Sequence, residues 1–104
     1  MVSLKAVALM LIPAILAQNQ TQIGTTTEFR VCSVDPTPIY SETCIALNET
    51  GATNISIAVG CRQYGNTQCT GNYNTGGYRP GCYENSRFIQ NFGTISGAIW
   101  CFPS

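Results

Sequence analysis

The six cysteines are the residues of this chain with the most chemistry to offer. Cys32, Cys44, Cys61, Cys69, Cys82 and Cys101 form an even set, and even the closest pair, Cys61 and Cys69, stands 8 positions apart. A structural zinc site needs a short-spaced pair such as C-x-x-C, usually helped by histidine, and the chain has no histidine. The spacing predicts disulfides, no metal, and an oxidising compartment. Three such bonds each contribute about 2–4 kcal/mol, mainly by restricting the unfolded chain. Without histidine there is no Ser-His-Asp or Cys-His arrangement, and the serines lack the commonest general base. The carboxylates Glu28, Asp35, Glu42, Glu49 and Glu84 are scattered. A glycosidase-type pair such as Glu42 with Glu84 requires a spatial separation that sequence spacing does not give. They are read as solvated surface charges, and the chain as a non-enzyme that uses no cofactor.

Charge excludes one class of partner. Five basic residues balance five acidic ones in 104 residues, so the clustered Lys and Arg that nucleic-acid recognition needs are missing. Residues 1–17 read as a secretory signal peptide. Lys5 gives the positive start, Ala6 to Ile12 an apolar run, Pro13 a break, and Ala17 a small residue before polar Gln18. The run is too short to span a membrane, which takes about 20 apolar residues. The expectation is a secreted, extracellular chain with no membrane span, cleaved after Ala17. Residues 18–28 are polar, Thr-rich and without strand alternation, and are expected to be a flexible N-terminal segment. Residues 29–104 form the single domain. A core this small gains from staples.

The chain resembles itself. Asn54-Ile-Ser-Ile-Ala-Val-Gly-Cys61 reads against Thr94-Ile-Ser-Gly-Ala-Ile-Trp-Cys101, and the cysteine spacings keep step. Two repeats, 29–61 and 64–101, follow. In each terminal segment the period-two pattern puts cysteine on one face with branched apolar residues: Ile55, Ile57, Val59 and Cys61, then Ile95, Ile99 and Cys101. Phe29–Cys32 and Thr43–Leu47 are further strand candidates. Turn signals at Asp35 to Pro38, Asn48 to Thr53, Gly71-Asn72 and Arg79-Pro80-Gly81 separate them. No helical period is sustained after residue 17. The fold class is all-β.

A duplicated unit ending in Ile-Ser-x-x-(Val/Ile), with six residues between Tyr64 and Gly71 as in an aromatic-x6-glycine hairpin, resembles the beta/gamma-crystallin Greek-key motif. The superfamily includes small secreted proteins similar to killer toxins. The resemblance implies a small disulfide-stabilised β-sandwich of two Greek-key-like repeats. The first unit departs from the motif, since Pro36 stands where Phe29 would lead to glycine. Calcium is not expected, because Phe92-Gly93 and Ala52-Thr53 occupy the ligand positions.

Duplication suggests symmetric bonds. Cys32–Cys44 with Cys69–Cys82 and Cys61–Cys101 is the favoured set; Cys44–Cys61 with Cys82–Cys101 and Cys32–Cys69 is the other, and a Cys32–Cys82 bond would break the argument. Asn19, Asn48 and Asn54 head glycosylation sequons. The segment from Cys69 to Tyr83 reads as a glycine-rich loop held between cysteines. In it Tyr73, Tyr78, Arg79 and Tyr83 are the candidate binding residues, since tyrosine offers contact area at low entropic cost. The function read from all this is a toxin- or effector-like binding protein. Its partner would be an extracellular protein or carbohydrate; a wall-binding component and an inhibitor of a secreted enzyme are the alternatives.

Overall fold

The computed structural model describes residues 20–104, so the segment expected to be a signal peptide and Asn19 lie outside the described residues. Among the described residues, eight strands form two antiparallel four-stranded sheets. β1 (Gln22–Thr27), β2 (Thr37–Tyr40), β4 (Ala52–Ile55) and β7 (Gly81–Glu84) make the first, in the order β2-β1-β4-β7. β3 (Cys44–Asn48), β5 (Val59–Tyr64), β6 (Tyr73–Tyr78) and β8 (Ser96–Pro103) make the second, in the order β3-β8-β5-β6. The all-β expectation holds. A one-turn helix, α1 (Ser86–Ile89), precedes β8 and buries Phe88 and Ile89.

The core draws on both sheets. Ile23, Ile39 and Ile55 meet Ile45, Leu47, Val59 and Ile99, with Phe88 and Ile89 from α1. Parity does the sorting, because successive strand residues face opposite sides.

Several expectations are corrected. Residues 22–27, expected to be flexible, form β1, which lies between β2 and β4. The Thr-rich stretch is held by cross-strand bonds, including Thr26 to Thr53 at 2.9 Å. The strand expected across residues 55–61 is broken. The chain leaves the first sheet after Ile55 and enters the second at Val59, so the matched parity of Ile55 and Cys61 serves two sheets. Phe29–Cys32 is a bend rather than a strand. Ile95, expected to face the core, is 70% exposed, and β8 begins one residue later.

The bonds are Cys32–Cys82, Cys44–Cys69 and Cys61–Cys101. Only the last belongs to the favoured set. Cys61 stands directly opposite Cys101 in the β5–β8 ladder, Cα to Cα 4.0 Å, on the core side. The other two bonds each tie a loop to a sheet. Cys82 lies opposite Asn54, on the side of the first sheet facing away from the core, and its bond to Cys32 anchors the 28–36 loop. Cys44 opens β3, and its bond to Cys69 draws the 65–72 loop back over β8, with the Cys69 sulfur 3.8 Å from the Ile99 carbonyl. Loop crossings, not repeat boundaries, decide the pairing. Exchanging the two repeats would turn Cys32–Cys82 into Cys69–Cys44, yet Cys44 lies in a strand of the second sheet and Cys82 in one of the first.

Candidate functional site

The four residues singled out in the sequence do not share one surface. The stretch expected to be a loop contains β6, paired with β5 from Val59↔Tyr78 to Tyr64↔Tyr73. Tyr73 and Tyr78 are five positions apart, so the pleat sends them to opposite faces. Tyr78 turns inward. Its ring centroid lies 4.6 Å from that of Phe88 and 5.4 Å from that of Tyr83, and the Gln63 amide donates to its hydroxyl. Burial raises the Tyr78 hydroxyl above its ordinary value of 10.0, helped by Tyr83 and opposed by the Gln63 bond and Arg87. Tyr83 donates to the Arg79 carbonyl at 2.8 Å, with Arg87 stacked 5.9 Å from its ring. Both tyrosines pack as partial cover for the core. Arg79 is exposed, in the turn before Pro80.

Tyr73 turns outward into a different group. It is 44% exposed, 5.5 Å from Tyr64, and the Arg62 guanidinium sits 4.8 Å over its ring. The strand register places Arg62 opposite both Thr75 of β6 and Trp100 of β8, with Gly60 opposite Phe102 in the next outward row. Phe102 is 44% exposed and its ring lies across Gly60, where an added Cβ would meet it at 3.3 Å. The outer face of β8-β5-β6 thus carries Arg62, Tyr73, Trp100 and Phe102 on neighbouring strands about 4.8 Å apart. Cys44, opposite Trp100, sets the disulfide-anchored loop beside them.

Arg62, Trp100 and Phe102 were missed in the sequence. The signal was there in the alternation: if Cys61, Ile99 and Cys101 face the core, their even-numbered neighbours face away. Two aromatic residues on the outward parity of one strand have no core to explain them.

A concavity of about 550 Å³ is lined by Thr26, Glu28, Asp35, Leu47, Asn48 and Asn85 among others. None of the four predicted binding residues lines it. Much of its polar lining is already engaged. Thr27 donates to the Val34 carbonyl, and buried Asn85 donates to the Asn48 carbonyl at 3.0 Å and accepts from Thr53 at 2.6 Å. The pair Glu42 and Glu84 is not assembled. Glu42 follows β2 and Glu84 ends β7, the two opposite edges of the first sheet. Three strand spacings alone set them about 14 Å apart, and the register places them at opposite ends of the strands, beyond the range of either glycosidase geometry. Glu84 instead faces Arg30 at 3.8 Å.

Of the sequons, Asn48 ends β3 and is exposed, whereas Asn54 is half-buried in β4 beside the Cys32–Cys82 bond. Among the described residues no helix is long and apolar enough to cross a membrane, and no group of three or more Cys, Asp or Glu is placed to hold a metal. Compared with protein-family models, curated proteins and solved structures, the chain has no match.

Proposed function

We propose that this chain is a secreted, non-enzymatic recognition protein, toxin- or effector-like, that binds a target outside the cell through the outer face of β8-β5-β6. One observation carries the reading: Arg62, Tyr73 and Phe102 are exposed together on a sheet face whose backbone is fixed by two disulfides. Aromatic and arginine side chains on a rigid scaffold bind with little ordering cost. Three disulfides are compatible with an oxidising compartment. The crystallin-like, killer-toxin-like comparison belongs to the same proposal and rests on the Tyr64–Gly71 spacing. Exposed Asn48 is the sequon this reading assigns to a glycan.

A carbohydrate- or wall-binding role is the second reading, favoured by exposed rings on a sheet face with Thr75 beside them. Retention on insoluble polysaccharide, set against binding to and growth inhibition of target cells, separates the two. In either case Tyr73→Ala with Phe102→Ala abolishes binding while the disulfides stay intact. Undiminished binding by that double variant contradicts the site.

A further inference from the structure

We infer that the free edge of β6 is a self-association edge, on which a second copy of this chain adds its own β6 antiparallel and joins the two sheets into one. This goes beyond the recognition face and does not depend on it.

β6 ends its sheet and is paired on one side only. Half of its backbone N–H and C=O groups therefore point away from any strand, a template for another chain. The other edge strands carry the usual protections. β2 contains Pro38, β7 is four residues long and ends on Glu84, and β3 is flanked by Glu42 and Glu49. β6, Tyr-Asn-Thr-Gly-Gly-Tyr, carries neither charge nor proline within the strand, and Arg79 and Pro80 follow only after its last residue. Its register with β5 runs without a bulge.

Geometry then selects the partner and the register. Residues directly opposite in a ladder must face the same side, so a two-fold axis between two β6 strands passes through a residue pair, at Thr75 or at Gly76. The Thr75 axis sets Thr75 against its own copy, a favourable cross-strand pair, and sets Tyr73 against the copy's Gly77. That second pairing fills a gap. Gly60 is covered by the Phe102 ring, but Gly77, next to it in the same outward row, has nothing within 4 Å of an added Cβ except the Val59 carbonyl at 3.9 Å. An aromatic ring laid across an edge glycine stabilises such pairs, and Tyr73 has exposed ring surface to give. The row becomes Phe102, Gly60, Gly77, then the copy's Tyr73. The Gly76 axis offers neither pairing. Closure about one two-fold also predicts that assembly stops at two chains.

The test is sedimentation equilibrium of the secreted full chain from micromolar to millimolar concentration, with three variants. The wild type shifts from one chain to two and no further. Thr75→Lys sets two ammonium groups against each other at the axis and weakens the dimer about tenfold or more. Thr75→Val, which keeps the β-branched pair, dimerises like the wild type. Gly77→Asp, outside the core, weakens the dimer as Thr75→Lys does. Intact mass and an unchanged melting temperature in dilute solution show that each variant is folded with its bonds formed. A wild type that stays monomeric at millimolar concentration overturns the proposal. So does a Thr75→Lys chain that dimerises as tightly as the wild type, or a series of masses that runs past two.

Discussion

Cys61, Gln63, Ile99 and Cys101 point into the molecule, while Arg62, Trp100 and Phe102, their immediate chain neighbours, point out of it. The inner face of this sheet is closed by a disulfide, α1 and the Tyr78–Phe88 contact. The outer face carries a stacked guanidinium and two half-exposed rings. The proposed reading thus divides stability and recognition between alternate residues of the same strands. A substitution on one face should register in one property and leave the other alone.

The largest effect belongs to the inner face. Phe88, 1% exposed, touches Tyr78 and Tyr83, and Phe88→Ala should cost about 3–5 kcal/mol in denaturant unfolding. A loss under about 1 kcal/mol would mean that the cluster is not core, since surface changes rarely exceed about 0.5 kcal/mol.

The disulfides sharpen the same contrast. Replacing both members of Cys61–Cys101 by Ala should cost about 2–5 kcal/mol. The three bonds close 50, 25 and 40 positions, and doubling a loop changes its closure term by only about 0.6 kcal/mol. A cost for Cys61–Cys101 well above that of the loop-to-sheet bonds would therefore come from the buried sulfurs rather than from chain entropy. Equal costs for all three would remove the distinction.

Alkaline pH gives a smaller, inner-face effect. The unfolded chain releases the Tyr78 phenolic proton near 10, and the folded chain only above that value, because burial disfavours the phenolate. In that window the folded state holds more protons, so stability is complete below pH 10 and falls as pH rises through the folded value. Tyr78→Phe should flatten this decline in a denaturation series across the alkaline range. An unchanged decline would place its source elsewhere. At the bottom of the scale, Arg30→Ala should change stability by less than about 0.5 kcal/mol, since its ion pair with Glu84 lies on exposed side chains.

The part of this architecture legible in the sequence follows one physical rule. Period-two alternation found the start of β5 and most of β8, and it put Cys61 and Cys101 on the core side, where they bond. Alternation says nothing about which sheet a strand joins. Ile55 and Cys61 could therefore pass for one strand while the chain changed sheets at Ser56–Ala58. β1 escaped notice because Gln22, Thr25 and Thr26 are polar and its hold comes from neighbours far along the chain. α1 escaped because a single turn is too short to show a period. The Cys32–Cys82 and Cys44–Cys69 bonds depend on loop paths over the sheets, which no spacing encodes. At the candidate site, Tyr73 was found by composition. Arg62, Trp100 and Phe102 needed the outward half of the same alternation to be read as carefully as the inward half.

The proposed division of stability and recognition between alternate residues of one sheet is measured by a crossed pair of variants. Tyr73→Ala with Phe102→Ala changes the outer face; Tyr78→Ala with Ile99→Ala changes the inner one. Melting temperature and retention on target cells or insoluble polysaccharide are measured for both. The outer variant should melt within a few degrees of the wild type, as about 1 kcal/mol allows in a domain this size, and lose retention. The inner variant should melt well below the wild type and, at temperatures where it remains folded, be retained as the wild type is. An outer variant that is fully retained, or a folded inner variant that is not, would contradict it.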